Sequence, residues 1–255
     1  IPDASTWRSS ADYERLDELT ASDLAWEWLR RNEAYDADFE ASASARGDPE
    51  PLTERFGSDG GCDFPVDPLT DPPDAPVFWL PQEDTSVILL VDAPSQLGDG
   101  FGGIPASWRS HPSTDGPDAE FRLELGNGQA VQILDCATGG GVIAVAVIPL
   151  GLDGFDRIEA VQRLLAALHG RAIPPDTRLT RQQRARLRRM LRAFDGQRAG
   201  ATQQEIARVI LKTGPLARDE WQASAARHAV KALLRDARSM VAGGYRKLLR
   251  HRRSR

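Results

Sequence analysis

"VIAVAVIPLGLDGFDRIEAVQRLLAALHG", residues 142–170, contains the change of pattern that decides the fold. Residues 142–148 are an unbroken apolar run rich in β-branched side chains, as in a buried strand. After Gly154 the apolar residues recur at helical spacing. Ile158, Val161, Leu164, Leu165 and Leu168 define one face, and Gly170 ends it. A sheet therefore stops here and a helical region starts. The longest apolar run, 142–150, is far too short to span a bilayer, so no membrane partner is expected.

Upstream, "FRLEL" (121–125) and "QAVQILDC" (129–136) alternate apolar and polar residues around "GNG". Asn127 and Gly128 tolerate the positive φ of a tight hairpin turn. "ATGGG" (137–141) makes a second turn, which predicts an antiparallel three-stranded meander. "PVFWL" (76–80) and "TSVILLVDA" (85–93) are further strands suited to extend it. The stretch 94–119 reads as a polar, Gly/Pro-rich loop, and 46–76, with seven prolines and four glycines, as irregular connection. Residues 20–44 read as helical, capped by Thr20 or Ser22, with Leu24, Trp28 and Tyr35 near helical spacing.

Downstream, Thr180 caps a second helix with Leu187, Met190, Leu191 and Phe194 inward, stopped by Gly196. Thr202 and Glu205 form a capping box for a third, whose apolar side is Ile206, Val209 and Ile210 and whose end is Gly214 and Pro215. The last helix runs from about Trp221. The expected class is α+β: a small N-terminal helical segment (1–60), an antiparallel β-meander (61–151) and a C-terminal helical bundle (152–255) with a helix-turn-helix-like unit. The composition break and the complete helix set predict that the last region folds independently.

Charge is divided along the same line. The chain has a formal net charge of -5. Residues 1–150 hold 8 Lys/Arg and 28 Asp/Glu, whereas residues 151–255 hold 24 and 9. Such a basic half suggests a polyanionic partner. At 100° per residue, Ser224, Arg227, His228, Lys231, Arg235 and Arg238 share one sector of the last helix, opposite Ala226, Val230, Leu233, Leu234, Ala237 and Val241. The second helix repeats the arrangement with Arg181, Arg184, Arg188 and Arg192. A capped short helix followed by a basic amphipathic one is the order of a helix-turn-helix, whose second helix enters the major groove of double-stranded DNA. Arg227, His228 and Lys231 are expected at base edges, Arg235 and Arg238 nearer the backbone. Arg246, Lys247, Arg250, Arg252 and Arg253, beyond the Gly-Gly break, are expected to track phosphates. A homo-oligomer is expected, because such readers present paired helices to two half-sites.

Enzymatic chemistry has little support. The histidines, His111, His169, His228 and His251, are scattered, and Cys62 and Cys136 have no metal-like spacing. "GDGFGG" (98–103) and "TGGGV" (138–142) lack the surroundings of a phosphate-binding loop and read as turns. Cys136 reads as a small core residue, and the acids Asp23, Glu27, Glu33, Asp36, Asp38 and Glu40 as a solvated surface. No catalytic residues, metal or cofactor are expected. The chain opens on Ile1 with no basic and apolar leader, so a cytoplasmic protein is the expectation. The competing reading is a protein-interaction module, in which the acidic front with Trp7, Trp26 and Trp28 docks another regulator.

The stretch "RHAVKALLRDARSMVAGGYRKLLRHR" (227–252), preceded by "TQQEIARVI" (202–210), resembles the C-terminal domain of RovC-like transcriptional activators. It also resembles the FseA activators and QseM antiactivators of integrative and conjugative elements, and "GGYRKLLR" (243–250) is its most specific piece. "LAWEWLRRNEAYDADF" (24–39) is similar to the transcriptional-regulator-like domain that often precedes it. The resemblance implies a proteobacterial transcription regulator. The antiactivators are essentially the C-terminal domain alone, so the longer layout implies an activator, for which RNA polymerase is a further partner.

Overall fold

Thr20, Thr180 and Thr202 each turn the chain into a helix, the side-chain oxygen accepting the backbone N–H three residues on. The computed structural model describes residues 1–45, 56, 58–59, 66–72, 77–94, 96, 119–136 and 144–251. In chain order it has 3-10 turns Ser5–Arg8 and Ala11–Asp17, α1 (Ala21–Leu29), α2 (Glu33–Ala45), β1 (Ser58–Asp59), β2 (Phe78–Trp79), β3 (Ile88–Asp92) and β4 (Ala119–Glu124). There follow β5 (Ala130–Asp135), β6 (Ala144–Val147), α3 (Asp153–Leu168), α4 (Arg181–Arg198), α5 (Gln203–Ile210), α6 (Arg218–Ala223), α7 (Ala225–Val241) and a 3-10 turn Gly244–Leu248. The class is α+β, as the sequence predicts. Most of the 94–119 loop and the glycine-rich 98–103 and 137–142 lie outside the described residues.

The expected hairpin forms, with β4 antiparallel to β5 and Phe121 opposite Ile133. Its turn differs in detail: Gly126 and Gly128 take positive φ (80° and 78°), while the Asn127 carboxamide accepts the Gln129 N–H at 3.1 Å. The meander does not form. The sheet order is β4-β5-β3-β6, with β3 parallel to β5 and antiparallel to β6. An apolar strand such as β3, with Ile88 and Leu90 buried, gains most at the centre of the sheet, which displaces β6 from β5. Nor does "PVFWL" extend this sheet. Among the described residues β2 pairs with β1 alone, and the Gln132 side chain links it to β5 by two hydrogen bonds to the Trp79 backbone (2.9 and 2.8 Å).

The face predicted for α3 is split. Val161, Leu164 and Leu168 pack on the sheet core, whereas Ile158 and Leu165 are exposed. The inward side also buries Asp156, Arg157 and Arg163. Each is received by polar groups: Thr85 donates to Asp156 (2.5 Å), Arg157 donates to the Pro81 carbonyl (2.7 Å), and Arg163 approaches Asp176 (3.5 Å). These contacts fix the helix rotation and turn part of its apolar surface outward.

A second core unites the first 35 residues with α4–α7, including Trp7, Trp26, Trp28, Leu191, Ile206, Val230, Leu234 and Leu249. Gly196 does not end α4 but lies within it, where a Cβ would sit 2.9 Å from the Trp7 ring. The acids Asp23 and Glu27, expected on a solvated surface, are buried. Arg122 grips Asp23 with two hydrogen bonds (2.7 and 3.0 Å), tying β4 to α1. Arg31 joins Glu27 (2.7 Å) to Asp195 of α4 (2.9 and 2.8 Å), and Tyr13 donates to the same Asp195 at 2.7 Å. Burial alone would raise the Glu27 carboxyl, but Arg31, Arg30 and Arg15 hold it below its ordinary value.

Arg31→Ala should destabilise the protein by about 3–5 kcal/mol in urea unfolding, because two buried carboxylates lose the guanidinium they share. A depressed carboxyl contributes stability above its unfolded pKa, about 4.3 for Glu, and loses it as pH falls through the folded value. The urea midpoint should therefore fall steadily on acidification below about pH 4.

Candidate nucleic-acid interface

The basic face of α7 is presented by a short helical array. Gln204 donates to the Leu216 carbonyl at 2.7 Å, which fastens the connection after α5. Lys212, with φ of 54°, makes the left-handed break expected at Gly214. A separate helix, α6, intervenes, and α7 begins at Ala225 and not near Trp221. Ser224 causes the division: its hydroxyl accepts the Arg227 N–H (3.2 Å) and donates to the Trp221 carbonyl (2.9 Å). It is thus the cap of α7 and leaves the stripe to the residues that follow.

Val230, Leu233, Leu234 and Ala237 are buried as the helical wheel predicts, and His228, Lys231, Arg235 and Arg238 are exposed opposite them. These four border an open groove whose other side is formed by Gln203 at the start of α5, a residue that periodicity gave no reason to select. His228 and Lys231 make no side-chain hydrogen bond or ion pair among the described residues. Arg227 is half-buried and reaches the Gln222 carbonyl at 3.3 Å; Arg238 donates to Gln197 at 2.8 Å. Arg235 pairs with Asp236 at 2.9 Å, and Arg186 binds the same carboxylate. Hydrogen bonds from Arg235 and Arg186 hold Asp236 below the usual carboxylate range. The surface can thus offer several donors to phosphates or base edges at once.

The stripe on α4 has a different job. Arg181 is exposed, but Arg184 donates to the Leu19 carbonyl and Arg188 pairs with Asp17 at 2.6 Å. Arg192 donates to the Trp7 and Arg8 carbonyls at 3.2 and 3.0 Å. The two N-terminal 3-10 turns lie over this face, so Arg184, Arg188 and Arg192 are spent inside the molecule.

The cations after the Gly-Gly break are also constrained. Gly243 has φ of 112°, and a Cβ on Gly244 would lie 2.6 Å from the Ser239 carbonyl oxygen. The break folds the chain back into the core, where Tyr245, Leu248 and Leu249 are buried and Tyr245 donates to the Phe56 carbonyl at 2.8 Å. Burial pushes the Tyr245 phenol up to about 12. Arg246 faces Glu83 at 3.6 Å, and Arg250 reaches the Gln82 carbonyl and Asp153 (3.5 Å). Lys247 is exposed without a side-chain partner among the described residues. Arg252 and Arg253 lie outside those residues.

Residues 147–250 match the RovC DNA-binding family, described as a T6SS transcription-factor DNA-binding domain. This match spans the C-terminal part of the chain. Residues 6–65 match the proteobacterial transcriptional regulator-like domain, so the protein is a transcription regulator with a DNA-binding domain. No curated protein matches the chain. The RovC-type domain covers α3 to the buried 3-10 turn, and thus includes the basic face of α7. No described helix is long and apolar enough to cross a membrane.

Gly244→Ala should lower stability by about 1–3 kcal/mol in urea unfolding, the scale of overpacking a filled site. Lys247→Ala, at an exposed side chain, should leave the unfolding midpoint within about 0.5 kcal/mol of the parent.

Proposed function

We propose that the protein is a DNA-binding transcriptional activator that reads double-stranded DNA with the exposed face of α7. The observation that carries this reading is the row His228, Lys231, Arg235 and Arg238 standing opposite the buried Val230, Leu233, Leu234 and Ala237. A rigidly packed helix with long cations on its free side suits a major groove. Arg227, in the first turn after the Ser224 cap, and His228 and Lys231 approach base edges, while Arg235 and Arg238 hold phosphates. Gln203, across the groove from Lys231, supplies a further donor or acceptor from α5. Arg184, Arg188 and Arg192 have internal partners and are left out of this assignment; Arg181 and Lys247 stay as peripheral phosphate contacts.

The activator role rests on the two-domain layout, since a regulator-like domain precedes the DNA-binding one. In this reading the protein acts in the cytoplasm as a homo-oligomer on paired half-sites, and RNA polymerase is its further partner. No catalytic step is assigned.

Purified full-length protein should retain specific genomic fragments at about 0.1 M salt and release them steeply as salt rises. On the retained site, Arg227→Ala should cost about 1–3 kcal/mol and relax discrimination at one position. Lys231→Ala tests whether that side chain reads a base or a phosphate. The first result would depend on sequence, and the second would weaken all duplexes alike and lower the salt slope by about one. A folded protein that retains no duplex under these conditions would overturn the proposal.

A further inference from the structure

α4 and α7 pack together, and between them, bordered by the 3-10 turn Gly244–Leu248, lies a cavity of about 300 Å³. That is a volume in which proteins hold small molecules. Its floor is apolar: Leu187 and Met190 of α4, Met240 of α7 and Leu248 of the turn, with Leu179 beside them. Met190 and Met240 are the only two methionines in the chain. Both line this one space, and flexible thioethers suit a floor that adapts to an apolar occupant.

The rim is cationic. Arg178, Arg186 and Lys247 border the cavity against a single acid, Asp236. Arg178 is already satisfied: it pairs with Asp176 at 2.7 Å and with Asp84 at 3.2 Å. Asp236 receives Arg186 on one oxygen and Arg235 on the other. Lys247 is exposed and has no side-chain partner among the described residues. The rim therefore has a cation to spare above an apolar floor. This pattern complements a monoanion with an apolar body, whereas a neutral apolar molecule leaves Lys247 unused and a cation is repelled.

We propose that this cavity binds a small amphipathic monocarboxylate, its chain on Met190 and Met240 and its carboxylate on Lys247 and Arg186, and that the ligand weakens DNA binding. The site stands on the cavity alone; the coupling rests on the DNA reading above. A carboxylate that draws Arg186 away leaves both oxygens of Asp236 to Arg235, a cation assigned to phosphates. It also occupies Lys247, a peripheral phosphate contact. Each change takes a cation from the duplex, so both act in the same direction. The coupling is reciprocal, and duplex should lower the affinity for the carboxylate by the same factor.

The probe is decanoate, kept below its micelle concentration, on full-length protein isotopically labelled at the methionine methyl groups for NMR. Two signals then report on the cavity floor, and Met190→Leu and Met240→Leu assign them. Both signals should move saturably with decanoate. Decanol, the same chain without the charge, should bind about tenfold more weakly, the scale of one hydrogen bond to a charged group. Lys247→Glu should lose about as much affinity for decanoate and bind decanol as the parent does. Signals that do not move overturn the proposal, as does decanoate binding that Lys247→Glu leaves unchanged. Duplex affinity, read by gel shift on the retained site, should fall several-fold at saturating decanoate. The salt slope should fall by about one per lost phosphate contact. Unchanged duplex affinity at saturation overturns the coupling. A protein that retains no duplex rejects the DNA reading, and the methyl titration still decides the site.

Discussion

Arg31 is the point through which the two ends of the molecule are joined. It leaves the end of α1, is 5 % exposed as a side chain, and is divided between Glu27 of its own helix and Asp195 of α4. A guanidinium buried to this degree is tolerated only when every donor finds a fixed acceptor. Asp195 is in turn fixed by Tyr13, so the 3-10 turn before α1, α1 itself and α4 must reach their places together. Replacing any member by an apolar residue leaves a charge in the core. The packing of Trp7 on Gly196, and with it the burial of Arg192 under the N-terminal turns, follows from that alignment.

The polarity of the sequence has the same explanation. The acidic front supplies acceptors to the basic back: Asp17 to Arg188, Asp84 to Arg178, Glu83 to Arg246, while Arg31 returns the pattern by binding Asp195. Asp176, between Arg178 and Arg163, is held well below the ordinary carboxylate range in spite of its burial. Among the cations that charge neutralisation leaves over are Lys231 and Arg238 of α7, where Asp236 is already shared by two arginines. The excess of cations was visible in composition. Which of them are surplus depends on the tertiary pairing.

Features governed by neighbours in sequence were legible. The hairpin around Asn127, the threonine caps and the inward side of α7 depend on residues within a turn or two, and periodicity reports them. Features governed by distant partners were not. A wheel drawn for α4 shows four aligned arginines, but it contains nothing about the 3-10 turns that cover them. The string "VILLV" at 87–91 suits an edge or a centre equally, and only pairing with both β5 and β6 places it. On α3, hydrophobicity marked one face, whereas the buried Asp156, Arg157 and Arg163 set the rotation and left Ile158 and Leu165 outside. The Gly-Gly break was read only as the point beyond which the cations track phosphates, and the structure makes it a tight turn that takes Tyr245 inward.

That turn has a consequence for synthesis. Trp26 stacks edge-on with Tyr35, Tyr35 with Phe56, and Trp79 rests against Tyr245, so residues made early complete their packing only against residues made late. Leu249 additionally offers its carbonyl to the Thr85 amide at 3.2 Å. While positions 245–249 are still inside the ribosome, Trp26, Trp28 and Trp79 lack the part of their cover that these residues supply. Prematurely terminated products cannot close this core and are exposed to proteolysis.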